Sequence, residues 1–116
     1  MSGETANPFG MTPRDVLANA QMAQKILTSG PGTLRSRVEF SWSKMVPSGE
    51  SYLDIEGRFR YREVGERLYG KADPEQWDGK EMDARLREMS VAELESLKRE
   101  IVAFSRHVVR VMKEKL

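Results

Sequence analysis

The chain has 116 residues, enough for one domain and too few for two separate cores. Its 19 Lys and Arg stand against 18 Asp and Glu, a net charge of +1 with His neutral, which excludes a strongly basic tail and an acidic mimic. There is no cysteine, so disulfides, thiolate nucleophiles and Cys-held metals are excluded, and a reducing compartment is allowed.

Residues 1–11 carry Gly3, Pro8 and Gly10 with one acid and no base, and lack both the charged start and the apolar stretch of a secretory signal. They read as a flexible N-terminal arm, with a single small domain over 12–116. No window reaches the run of roughly 18 apolar residues that a membrane span needs, since Val108 to Met112 is broken by Arg110. The expectation is a cytoplasmic protein, or one within a particle assembled in the cytoplasm, that makes no membrane contact.

Thr12 before Pro13 is a helix start: the hydroxyl can cap a free backbone donor, and Pro at the first helical position gives up nothing. Val16, Ala20, Ala23 and Leu27 then recur at helical spacing, which predicts a helix over about 13–28 that ends at Ser29-Gly30-Pro31-Gly32.

Residues 34–62 show a period of two. Val38, Phe40 and Trp42 alternate with Arg37, Glu39 and Ser41; beyond Pro47-Ser48-Gly49-Glu50, Leu53, Ile55, Gly57, Phe59 and Tyr61 alternate with charged residues. This predicts a hairpin with Val46 opposite Ser51, which sets Trp42 against Ile55 and Val38 against Phe59.

Between 64 and 90, glycines interrupt the chain, and seven acids outnumber five bases. Short helices are expected, one opening at Asp73-Pro74 and another over about 80–89 with Met82, Leu86 and Met89 on one side. Ser90 to Glu93 has the spacing of a capping box, and a long amphipathic helix follows over 91–115. The expected fold class is therefore α+β: an N-terminal helix, a two-stranded antiparallel β-hairpin, short helices and a long C-terminal helix.

Two surfaces stand out. Apolar residues on the long helix cover roughly half its circumference, more than one small partner covers. That width makes Leu97, Ile101, Phe104, Val108 and Val111 the expected contacts to a second copy or to another protein. The hairpin register sets Arg35 opposite Arg62 and Arg37 opposite Arg60, with Arg58 beside them, a density that calls for an anionic partner. That partner is either the chain's own acidic segment 73–83 or a nucleic-acid backbone, with Arg106 and Arg110 of the long helix adding to the latter. On that helix Arg99, Arg106, Arg110 and Lys113 lie nearly in line, with Glu95 at the start of the same face.

Enzymatic readings fare poorly. His107 is the only histidine, which rules out a two-His metal site and leaves no triad. Asp73 to Ala84 departs from a calcium loop, with Trp at its fifth position and Ala at its twelfth, and Ser29-Gly30-Pro31-Gly32 lacks the ending of a phosphate loop. The expectation is a non-enzymatic assembly or adaptor protein without cofactor or metal. It would act as a homo-oligomer or as a subunit of a larger complex such as a virus or phage particle. A nucleic-acid-binding module is the alternative.

Overall fold

The computed structural model describes residues 11–116; of the expected arm over 1–11, residues 1–10 lie outside them, and Met11 packs against the core. They form five α-helices: α1 (Pro13–Ser29), α2 (Leu34–Met45), α3 (Ile55–Tyr69), α4 (Gly79–Glu88) and α5 (Val91–Lys115). Single 3₁₀ turns at Val46–Ser48 and Pro74–Gln76 sit in the connections. Among the described residues there is no strand, so the fold is an all-helical globule and not α+β.

The first and last helices follow from their caps. The Thr12 hydroxyl accepts from the Asp15 amide at 3.2 Å and the Asp15 carboxylate accepts from the Thr12 amide at 3.0 Å. Ser90 and Glu93 make the same reciprocal pair at the start of α5. Asp73 and Asp78 cap the 3₁₀ turn and α4.

The expected hairpin is two helices, α2 and α3. Thr33 caps α2 by accepting from Ser36, and Asp54 caps α3 by accepting from Gly57 at 2.7 Å. Within α2 the buried residues are Val38, Ser41, Trp42 and Met45, a helical stripe hidden inside the apparent alternation. Phe40, which completed that alternation, is 58% exposed. In α3 the buried stripe is Gly57, Tyr61, Val64, Gly65, Leu68 and Tyr69; it continues past residue 62, where the two-fold pattern stops. Ile55 and Phe59, placed on the hairpin's inner face by alternation, are 89% and 63% exposed. The α3 helix ends at Gly70, whose φ of +78° is a left-handed cap that favours glycine.

The core is built around α5. Helix α1 lies along α5 and α2, α2 also meets α5, and α3 packs on α5 and α4. Ala20 and Ala23 keep the buried face of α1 shallow, which permits close packing. An aromatic group sits beside this seam: Trp42 lies 5.4 Å from Tyr61 and 6.2 Å from Phe104 between ring centres, and its indole N–H donates to the Tyr69 hydroxyl at 3.0 Å. Among the described residues no helix is long and apolar enough to cross a membrane.

Candidate functional site

The five arginines expected to crowd one end of a hairpin are dispersed, because a helix turns residues 35 and 37, or 60 and 62, to different sides. Arg35 Nε donates to the Leu86 carbonyl at 3.1 Å, and an Arg37 Nη1 contact reaches the Leu27 carbonyl at 3.4 Å. Arg60 pairs with Glu56 one turn earlier at 3.0 Å, and Arg62 grips Glu50 with two bonds of 2.7 and 3.0 Å. Only Arg58 of the five is left exposed without a partner among the described residues.

The acceptors that these side chains meet thus belong to the chain itself, two of them backbone carbonyls and two of them glutamates. Carbonyls in the last turn of a helix lack intrahelical donors and carry the negative end of the dipole. Arg37 reaches the last turn of α1 and Arg35 that of α4, while Arg85 donates to the Arg67 carbonyl in the last turn of α3 at 3.0 Å. The acidic segment contributes at a distance: the Arg62 guanidinium is held more basic than usual by its bonds to Glu50 first, with further help from Asp73 and Glu75.

The residues expected to bind a partner through α5 are also placed differently. Leu97, Ile101, Phe104 and Val108 are fully buried in the chain's own core, and Val111 packs against it partly buried. Their apolar surface is used mainly inside the molecule, with Val111 alone of the five partly exposed.

His107, which sequence spacing sets at the edge of α5, is only 6% exposed. Its Nε2 lies 2.8 and 3.0 Å from the two carboxylate oxygens of Asp54, while Arg110 Nη2 lies 2.8 Å from Nδ1. With Arg110 donating to Nδ1, the ring proton sits on Nε2 and is donated to Asp54. Glu56 stands 3.5 Å from Nδ1 and also holds Arg60, so one polar network joins α5 to the first turn of α3. The hydrogen bond from His107, helped by the Gly57 amide, holds the Asp54 carboxyl below the usual carboxylate range in spite of some desolvation. Both ring nitrogens are engaged. Arg110 serves this network and is not a free phosphate contact.

One surface retains unspent charge. Thr28 of α1 and Lys98, Arg99, Val102, Ala103 and Arg106 of α5 line a groove of about 410 Å³. Arg99 and Arg106, seven residues apart, share one side of the helix, and Lys98 borders it four residues before Val102. Among the described residues none of the three is ion-paired, and Lys113 continues the basic face toward the end of α5. Val102 and Ala103, partly buried, form an apolar floor between the cations. Two smaller hollows differ in character: one mixes Arg85 with Glu88 and Glu93, and the other is lined by Met22, Lys25 and Ile26 near the α1 terminus.

Arg99 and Arg106 of this groove are legible in the sequence as part of a basic line. Lys98, Val102 and Ala103 are missed by that line; of the three, Val102 alone belongs to the unusually wide apolar arc of α5, and it ends up at the groove, outside the deep core. Among the described residues no three His, Asp or Glu side chains gather closely enough to hold a metal ion. The chain matches no protein-family model, no curated protein and no solved structure.

Proposed function

We propose that this chain is a non-enzymatic assembly or adaptor protein that docks an acidic, amphipathic segment of a partner protein in the groove between α1 and α5. The observation that carries the reading is the unpaired trio Lys98, Arg99 and Arg106 around an apolar floor of Val102 and Ala103. Helix-in-groove recognition needs this combination: apolar anchors enter the floor while carboxylates meet the rim. A nucleic-acid backbone would use the cations but leave the apolar floor uncovered. Of the other arginines expected to contact phosphate, Arg35 and Arg37 reach helix ends, Arg60 and Arg62 pair with Glu56 and Glu50, and Arg110 holds His107, which leaves Arg58. With both nitrogens of His107 engaged, the chain's single imidazole is a poor general base, which favours binding over catalysis. A chain without cysteine suits the reducing cytoplasm, where we place this assembly.

The test is fluorescence anisotropy with a labelled helical peptide of Glu and Leu, compared with a labelled DNA duplex. The expected result is peptide binding that weakens at least tenfold in the R99E/R106E variant. Binding of the duplex with a steep salt dependence, and none of the peptide, would overturn the reading in favour of phosphate recognition.

A further inference from the structure

The outward face of α3 has the chemistry that the α5 groove lacks. Ile55, Phe59, Glu63 and Glu66 recur at spacings of four, four and three, all exposed, opposite the stripe by which α3 packs on its neighbours. Ile55 and Phe59 are large apolar side chains left in water at 89% and 63% exposure. Among the described residues, neither the Glu63 nor the Glu66 carboxylate is ion-paired. The face is thus an acidic amphipathic helix surface, and the groove is basic with an apolar floor.

We infer that the segment docked in the groove is the α3 face of a second copy of this chain. The inference rests on the reading of the groove as a docking site and names its occupant. Phe59 would enter over Val102 and Ala103, with Glu63 against Arg106 and Glu66 between Arg106 and Lys113. Phe59 to Glu63 spans about 6 Å of helix at 1.5 Å per residue, close to the ~5 Å from the middle of the Val102 and Ala103 floor to Arg106. The groove is lined by residues of α1 and α5 and by none of α3, so a chain does not fill its own groove. Each copy then offers one groove and one α3 face on different surfaces. Such a contact closes either reciprocally into a two-fold dimer or head-to-tail into a ring or an open filament.

The test is sedimentation equilibrium of the full chain at low and at high salt, with the E63K/E66K and R99E/R106E variants and their equimolar mixture. All four positions are exposed, so helicity and melting temperature are expected to match the wild type. The wild type is expected to rise above 13.3 kDa as concentration passes about 100 μM, the range of a weak specific contact, and to fall back toward it in high salt. Each variant alone is expected to stay monomeric. The mixture regains association, because one pairing is then the native one and the other has both charges reversed.

Association that survives either variant, or a mixture that stays monomeric, overturns the inference. A wild type that is monomeric throughout also overturns it. If that monomer still binds the Glu and Leu peptide through an R99E/R106E-sensitive site, the groove remains a docking site for another protein; if it ignores the peptide, both readings fall.

Discussion

The indole of Trp77 lies directly on the backbone of Gly65: a Cβ placed on that glycine would come within 1.9 Å of Trp77 Cζ2. Trp77 is held there by stacking on Tyr69, with ring centres 4.7 Å apart and planes at 10°, and by donating its N–H to the Lys71 carbonyl at 2.6 Å. This contact fastens the connection between α3 and α4 to the aromatic side of the core.

Gly65→Ala is therefore expected to expel the indole and to destabilise the fold by about 2 kcal/mol, within the usual cost of overpacking. Gly79, at the start of α4, has nothing within 4 Å of such a Cβ, so Gly79→Ala is expected to be neutral or to stabilise by about 0.5 kcal/mol. Urea unfolding with tryptophan fluorescence compares the two; equal effects would show that Trp77 does not depend on Gly65.

Asp54 does two jobs, capping α3 and accepting from His107, and the substitutions separate them. Asp54→Asn keeps a good cap and weakens only the histidine contact, whereas Asp54→Ala loses the cap as well, which costs about 1 kcal/mol more. The pH dependence follows from the direction of the carboxyl shift. A carboxyl whose folded pKa is depressed contributes stability that is fully present above its unfolded value, 3.8, and is lost as pH falls through the lower folded value. The gap in stability between wild type and Asp54→Asn is thus expected to narrow below about pH 4. Unfolding curves at pH 7 and pH 3 that keep the gap constant would contradict the pairing.

Arginines at helix ends are expected to differ according to how well they are satisfied. Arg85 makes a 3.0 Å bond to the end of α3, so Arg85→Met is expected to cost about 1 kcal/mol. Arg37 has a longer 3.4 Å contact and a buried Nε without a partner, so Arg37→Met is expected to lie within about 0.5 kcal/mol of the wild type. Thermal melts of the two variants check the order.

Phe104 distinguishes a core side chain from a partner contact. Buried against Trp42 and Tyr61, it is expected to cost about 3 kcal/mol or more when replaced by Ala, with loss of cooperative unfolding and no selective loss of assembly. A Phe104→Ala chain that kept its melting temperature would contradict the packing.

What the sequence made legible follows from which signals were unopposed. Thr12-Pro13, the Ser90 and Glu93 box and the stripes of α1 and α5 all point to helices, and helices stand there. Over 34–62 two periods competed. Val38, Trp42 and Met45 fit 3.6, but Phe40, Ile55 and Phe59 supplied apolar residues at the alternate positions and completed a convincing two-fold pattern. Those three are the exposed ones. Large apolar residues left on a surface therefore misled the fold and, in Ile55 and Phe59, marked the α3 face. The site was half legible: Arg99 and Arg106 stand in a visible basic line, but the groove needs Thr28, which only tertiary packing of α1 on α5 brings alongside. The wide apolar arc of α5 suits burial within the chain as well as contact with a second copy, and α1, α2 and α3 cover most of it.

The central claim is that the groove between α1 and α5 receives an acidic apolar segment. The most direct measurement is an ¹⁵N-resolved titration of the full chain with the Glu and Leu peptide. Shifts concentrated at Thr28, Lys98, Arg99, Val102, Ala103 and Arg106 are the predicted result. Shifts that avoid those amides and gather elsewhere, or none at all, would contradict it.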